Sequence, residues 1–426
     1  ASALDTLCSQ AHTGSADPHA LGKHLQRALV VMLFLSFPIA ILWCFAEQLL
    51  LLLGQDPEIA RMSGIFARYA LGGLYPYLAN ECLKRYLQCQ GIMKANMFVI
   101  MFALPINIFL QWLLVWSPLA IGVIGSPIAV SITFTCLPVF TMLYIKISGQ
   151  GADAWGGWDW EEALDMRQIL IFLKLGFPGV AMTCSEWWAF EVVALAAGLL
   201  GPAVLAAQTI LLNTCALTYM LPLGISVSAS TRIGNSLGAY LPNLARTSSI
   251  ASIVIGLAVA TFNSTILIAV RNLWGWLWTQ DKEVVDLVSI LLPLAALFQI
   301  SDAIGAVAGG VLRGCGRQDI GAYINLTGYY LLGIPISLFC AFRLNFGLFG
   351  LWLGLAVGLI FVSVIEIILI ARMDWNQQAQ RARVRVLDAA RRASIVSVPD
   401  LENNAVPVEP VSEQAPQQPI KVYGTV

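Results

Sequence analysis

The chain has 426 residues, of which 58% are hydrophobic and only 12% charged, with a formal net charge of −1 and a mean hydropathy of +0.75. Soluble proteins carry about 25% charged residues, and a water-surrounded core cannot hide this much apolar surface, so a soluble enzyme and a largely disordered chain are excluded. The absence of a global basic field argues against a nucleic-acid partner, and a polytopic membrane protein remains.

In chain order, apolar runs long enough to cross a bilayer fall at 27–53, 63–83, 97–116, 119–145, 171–200, 203–230, 248–270, 284–312, 320–342 and 348–371. Pro105, Pro138, Pro178, Pro222, Pro293 and Pro335 interrupt them, which a helix bundle tolerates because neighbouring helices and water satisfy the freed backbone groups. His12, His19 and His24 share a short polar stretch with only Asp17 nearby, so a solvated loop is expected there rather than a metal site. The cysteines form no C-x-x-C pair and sit mostly in apolar runs, where a thiol behaves as a small hydrophobe. No Walker A or H-E-x-x-H string occurs, so neither motif points to an enzyme.

Alternate loops share a side of the membrane. One side collects Lys23, Arg27, Lys84, Arg85, Arg313, Arg317 and the tail arginines from Arg372 to Arg392, while the other holds only Arg61, Arg68, Arg271, Lys282 and Arg343. The positive-inside rule then makes the tail cytoplasmic. Residues 376–393 are expected to form a short helix against the inner leaflet, and 394–426, rich in proline and polar residues, to be disordered.

The sequence also matches itself at a shift near 225. Gln55-Asp56-Pro57-Glu58-Ile59 faces Gln280-Asp281-Lys282-Glu283-Val284, Gly122-Val123-Ile124-Gly125 faces Gly347-Leu348-Phe349-Gly350, and Thr6 with Gln10 faces Thr231 with Asn235, while Cys89 falls one position from Cys315. A constant shift over this length indicates two repeats of one unit. Six spans per unit is even, so the units insert in the same orientation and their pseudo-twofold axis lies along the membrane normal. The expected fold is an all-α polytopic membrane protein made of two parallel six-helix repeats. It divides into an N-terminal lobe at 1–145, a cytoplasmic inter-lobe loop at 146–170, a C-terminal lobe at 171–372 and a tail at 373–426. By the same register the first repeat would start about 60 residues upstream of Ala1, so the chain is expected to lack the first span and part of the second. Two bundles facing each other across a cleft suit alternating access by rocking.

A carboxylate at mid-span costs roughly 2.5–3.5 kcal/mol on insertion scales, so each needs a reason. Glu81 has Lys84 and Arg85 beside it, and Glu366, six residues before Arg372, is expected to snorkel towards the inner edge. Glu186-Trp187-Trp188-Ala189-Phe190-Glu191 has no basic partner along its helix. Its two acids stand roughly 140° and 7.5 Å apart and cannot point the same way unless the helix bends. Glu186 lies about 18 Å from Lys174 and Asp302 about 16 Å from Arg313, so these two acids are expected to meet at one level. Glu191 and Asn213, each about 15 Å from the turn at Gly201-Pro202, form a second level. In a low dielectric such acids can exchange protons at working pH, and a cation competes with the proton for the same oxygens. Trp187, Trp188 and Tyr219 offer ring faces for an aromatic or quaternary cation, or simply pack against neighbouring helices.

These strings, with Leu4-Asp5-Thr6-Leu7-Cys8-Ser9-Gln10, Leu53-Gly54-Gln55-Asp56-Pro57, Trp155-Gly156-Gly157-Trp158, Ala229-Ser230-Thr231-Arg232-Ile233-Gly234-Asn235, Gly310-Val311-Leu312-Arg313-Gly314 and Gly328-Tyr329-Tyr330, resemble the multidrug and toxin extrusion (MATE) family. The resemblance is to its eukaryotic branch, the Trp-Gly-Gly-Trp loop looking closest to vertebrate members, and it covers roughly residues 1–375. It implies a multi-pass plasma-membrane transporter, acting as a monomer without cofactor, that exports organic cations in exchange for protons. It places the family's acidic residues at Glu186, Glu191 and Asp302, and puts Asn213 where some animal members carry Glu. Na⁺ coupling is the alternative within transport, and a truncated, non-transporting isoform is the alternative outside it.

Overall fold

A computed structural model describes residues 2–118 and 120–396, with the side chains of 389–396 excepted. Among the described residues the chain is helical throughout, with no strand. The first half comprises α1 (Ser2–Gly14), α2 (Ala20–Cys44), α3 (Ala46–Leu52), α4 (Pro57–Cys89), α5 (Lys94–Gln111) and α6 (Gly125–Ser148). A connecting segment carries the single turn α7 (Trp160–Ala163). The second half comprises α8 (Met166–Gly198), α9 (Pro202–Gly238), α10 (Pro242–Ala269), α11 (Arg271–Trp274), α12 (Lys282–Cys315), α13 (Gln318–Leu326), α14 (Ile334–Leu338) and α15 (Gly347–Ala371). The tail forms α16 (Trp375–Val396).

Local chemistry sets the helix starts. Asp56 accepts from the amides of Glu58 (2.9 Å) and Ile59 (3.4 Å), with Pro57 at the first helical position of α4. Asp281 accepts from the amide of Glu283 (3.0 Å) at the start of α12, and Asp165 from Arg167 (2.9 Å) at the start of α8. Each side chain satisfies an amide that the first turn leaves orphaned. The two aspartates matched in the sequence, Asp56 and Asp281, thus do the same job on helices of 33 and 34 residues.

Nine of the described helical segments are long and apolar enough to cross a membrane. The run at 63–83 lies within α4, which is long enough but carries Glu58, Arg61, Arg68, Glu81, Lys84 and Arg85. The expected run at 27–53 is two helices, because the chain breaks at Phe45 between α2 and α3. Pro38, Pro76, Pro105, Pro138, Pro178, Pro222 and Pro293 all lie inside helices. From Gln318 to Arg343 one span runs through α13 and α14 with wider π-type turns at Thr327–Gly333 and Phe339–Arg343. The tail is helical to Val396, so its first part is ordered, and the disorder expected further on falls on residues outside those described. The histidine stretch is a solvated loop only in part: His19 sits in an exposed turn, whereas His12 lies exposed in α1 and His24 is buried in α2.

Each half has its own core. Leu4, Leu25, Tyr86 and Leu87 centre the first, and Leu211, Leu292, Phe298 and Trp352 the second. A smaller cluster joins Ile233, Leu237, Val311 and Trp375 where α16 lies on α9 and α12. Large apolar side chains such as Phe34, Phe102, Leu195 and Ile290 stand outward, as a lipid-facing surface requires.

The halves meet at their tail-side ends. Along α1, Thr6, Gln10 and Thr13 recur at helical spacing and face the second half. Thr6 Oγ1 donates to the Arg313 carbonyl (2.6 Å), Gln10 Nε2 to the Gly314 carbonyl (2.9 Å) and Thr13 Oγ1 to the Asn235 carbonyl (2.6 Å). In return, Asn235 Nδ2 donates to the Cys89 carbonyl (3.1 Å). Gly234 and Gly238 let α1 and α9 touch, since a Cβ at either would overlap Ser9 or Gln10. These contacts close α1 against the second half on the tail side.

Candidate functional site

The acidic string on α8 divides by helical periodicity. Met182, Ser185, Ala189 and Val193 form its buried face, and Glu186, one turn from Met182 and Ala189, lies half-buried at the edge of that face. Trp187 (55% exposed), Trp188 (64%), Glu191 and Leu195 (71%) form the opposite stripe. The five-residue offset between the glutamates separates them as 100° per residue demands.

Glu186 and Asp302 come together. Asp302 on α12 is 5% exposed, and the two carboxyls lie within hydrogen-bond reach. Two carboxylates this close hold together only through a shared proton or an intervening cation. Tyr219, half-buried on α9, lies within charge–charge range of both acids, as does Tyr329, which is buried in the π-type turn. Arg313 lies three turns beyond Asp302 along α12. Its Nη2 donates to Ser226 Oγ on α9 (2.7 Å), and its Nε stands 3.8 Å from Asp5 on α1. Asp5 is also 3.1 Å from Arg85. The same arginine interacts electrostatically with Glu186, so it connects the acid pair with the tail-side contact between the halves.

The other expected site residues lie on more exposed faces. Glu191 and Asn213 are both exposed, and among the described residues neither forms a hydrogen bond or ion pair. Among the described residues, no aromatic ring packs on Trp187 or Trp188. Glu81 pairs with Lys84, as its sequence neighbours imply. Glu366 departs from expectation: rather than snorkelling out, it is 1% exposed on α15 and turned into the second half. Sequence reasoning placed Glu366 at the inner edge, named Tyr329 only within a motif and used Arg313 only as a depth marker.

A large hollow lies elsewhere. A cavity of about 910 Å³ lies beneath α1, α2 and α16, and Arg27, Lys174, Arg317 and Arg385 are among its lining residues. Its basic groups outnumber its carboxylates, the wrong sign for holding a cation. The acid pair is the better cation site on charge.

The MatE family model matches residues 1–113 and 178–339, which include Glu186 and Asp302. The chain belongs to the multidrug and toxin extrusion (MATE) family. It is 39% identical over 383 residues to an uncharacterised transporter of Schizosaccharomyces pombe, spanning 89% of this chain and 70% of that one. It is 38% identical to the Arabidopsis thaliana Protein DETOXIFICATION 16, over 91% of this chain and 79% of that protein. The human multidrug and toxin extrusion protein 1 is 33% identical over 98% of this chain and 71% of its own length. Among solved structures, the eukaryotic MATE transporter AtDTX14 superposes with a TM-score of 0.84 at 33% identity, covering 90% of this chain and 85% of that one. A Vibrio cholerae MATE transporter shares the fold (TM-score 0.77) at 16% identity. The chain is thus a multi-pass helical membrane protein of a transporter family, eukaryotic in its relationships and sharing the MATE fold.

Proposed function

We propose that this MATE chain exports organic cations in exchange for protons, with Glu186 and Asp302 as the exchange site. The observation that carries the reading is the carboxyl pair itself: two acids from different helices, one nearly fully buried, within hydrogen-bond reach. A proton bridging the pair satisfies it when the site is empty. A cation satisfies it equally well and displaces the proton, so the two compete for the same oxygens. Competition of this kind, combined with exposure of the site to one side at a time, is antiport. Tyr219 supplies an aromatic face beside the pair. Glu191, Asn213, Trp187 and Trp188 would line the path or contact larger substrates from the exposed faces of α8 and α9. The reading includes two parallel repeats, a cytoplasmic tail, a plasma-membrane location and a monomer.

The test is uptake of a fluorescent organic cation into proteoliposomes under an imposed pH gradient. Gradient-driven uptake that disappears in Glu186→Gln and Asp302→Asn supports the reading. Uptake that ignores the pH gradient and follows an imposed Na⁺ gradient would replace proton coupling with sodium coupling.

A further inference from the structure

Glu366 is the second half's least satisfied acid. It continues the buried stripe Trp352, Leu355, Leu359 and Val362 of α15 at helical spacing and is itself 1% exposed. Neither of its carboxyl oxygens has a hydrogen-bond partner. Its span is the most apolar of the nine, with a mean hydropathy of 2.8. The charged and titratable groups facing it are Arg313 from α12, Glu186 from α8, Tyr219 from α9 and Tyr329 from the π-type turn. Arg313 is the only cation among them, and its guanidinium already serves Ser226 and Asp5.

An ionised carboxylate in such a place, with no donor, costs far more than a protonated carboxyl. Two of the three carboxyls, Glu186 and Glu366, then share one arginine, and Asp302 has Glu186 beside it. The cluster can approach neutrality only by holding protons or a cation. We propose that Glu366 is a third carboxyl of the exchange site, one that carries a proton in the tail-side-closed state and releases it to water when a cation enters the Glu186–Asp302 pair. This rests on the antiport reading above. The O–H bond of Glu366 breaks, its proton leaves through the hydrated site, and the carboxylate left behind faces the incoming positive charge. When the cation departs, a proton from water restores the O–H bond. Because Arg313 also reaches Asp5, a newly ionised Glu366 competes with the tail-side contact for the same guanidinium, which ties loading of the site to opening of the closed end.

The experiment is infrared difference spectroscopy of the chain in lipid vesicles, following the C=O stretch of protonated carboxyl groups with and without tetraethylammonium. The expected result is a protonated-carboxyl band that is absent in Glu366→Gln, persists in Glu186→Gln and Asp302→Asn, and is bleached by tetraethylammonium in the unmodified chain. Glutamine copies the size of the neutral acid; if that variant does not fold, Glu366→Asp keeps the carboxyl and should move the band. A spectrum unchanged by either variant overturns the proposal. If the band is assigned to Glu366 but the cation does not bleach it, the assignment of a proton stands and its release on loading is overturned. Failure of the antiport reading is distinct from both: the unmodified chain would then show no cation uptake driven by a pH gradient.

Discussion

Gln10 and Asn235 make the same hydrogen bond in opposite directions across the molecule. The amide of Gln10 donates to the carbonyl of Gly314, and the amide of Asn235 donates to the carbonyl of Cys89. Both the donors and the acceptors stand 225 positions apart, from 10 to 235 and from 89 to 314. This is the shift at which the sequence matches itself. Each half thus uses one helix to cap the end of the other half's long capped helix, α12 or α4. Such reciprocity is what a twofold axis between two repeats produces, because it exchanges both donors and both acceptors.

Breaking either bond should loosen the tail-side closure. A single hydrogen bond contributes about 0.5–1.5 kcal/mol net. Asn235→Ala should therefore raise the population opened on the tail side by about fivefold. The buried thiols of Cys89 and Cys315 report this directly, since their labelling by a membrane-permeant maleimide should accelerate. Unchanged labelling would show that this bond does not hold the closed end.

Arg385 should act in the same direction with a larger effect. Its Nη1 donates to Gln10 Oε1 (2.9 Å) and its Nη2 to the Cys315 carbonyl (2.9 Å), so α16 ties both halves at once. The planar fork spans two acceptors, which a lysine ammonium cannot reproduce. Arg385→Lys should behave like Arg385→Ala: faster amide exchange along α16 and faster labelling of Cys315. A lysine variant indistinguishable from the unmodified chain would rule out the fork geometry as the cause.

The close approach of α1 and α9 makes a third test. A Cβ at Gly238 would stand 2.6 Å from Thr13 Oγ1 and overlap the Gln10 carbonyl. Overpacking of this kind costs about 1–3 kcal/mol, and only in the closed state. Gly238→Val should therefore favour the open form, seen as increased Cys89 labelling and, by the proposed cycle, as a changed rate of cation uptake. A protein that stays closed with the same labelling rate would mean that the helices separate at no cost to the contact.

Glu186 and Asp302 should behave as one unit. Residues that share a proton are non-additive when removed. Glu186→Gln, Asp302→Asn and the double variant should all reduce pH-driven uptake to about the same residual level, at least tenfold below the unmodified chain if each loses about 1.4 kcal/mol or more. Independent, multiplying losses would show that the two acids serve separate steps.

The sequence alone determined the membrane class, most of the spans and the common depth of Glu186 and Asp302. It could do so because helix rise is constant: counting residues from Lys174 and from Arg313 measures depth, and depth is independent of how a helix is turned. The match at 225 likewise anticipated that Asp56 and Asp281 occupy equivalent places, since a capping residue is a local requirement. Rotation about the helix axis was decided only by the tertiary structure. On α15 every face is apolar, so no periodicity marked the stripe that carries Glu366 inward, and proximity to Arg372 suggested the wrong direction. On α8 the 140° between Glu186 and Glu191 was legible, but which of the two would face α12 was not. That choice depends on side chains of α9 and α12 packing against Ala189 and Val193, contacts between residues far apart in the chain, and it left Glu191 and Asn213 on exposed faces.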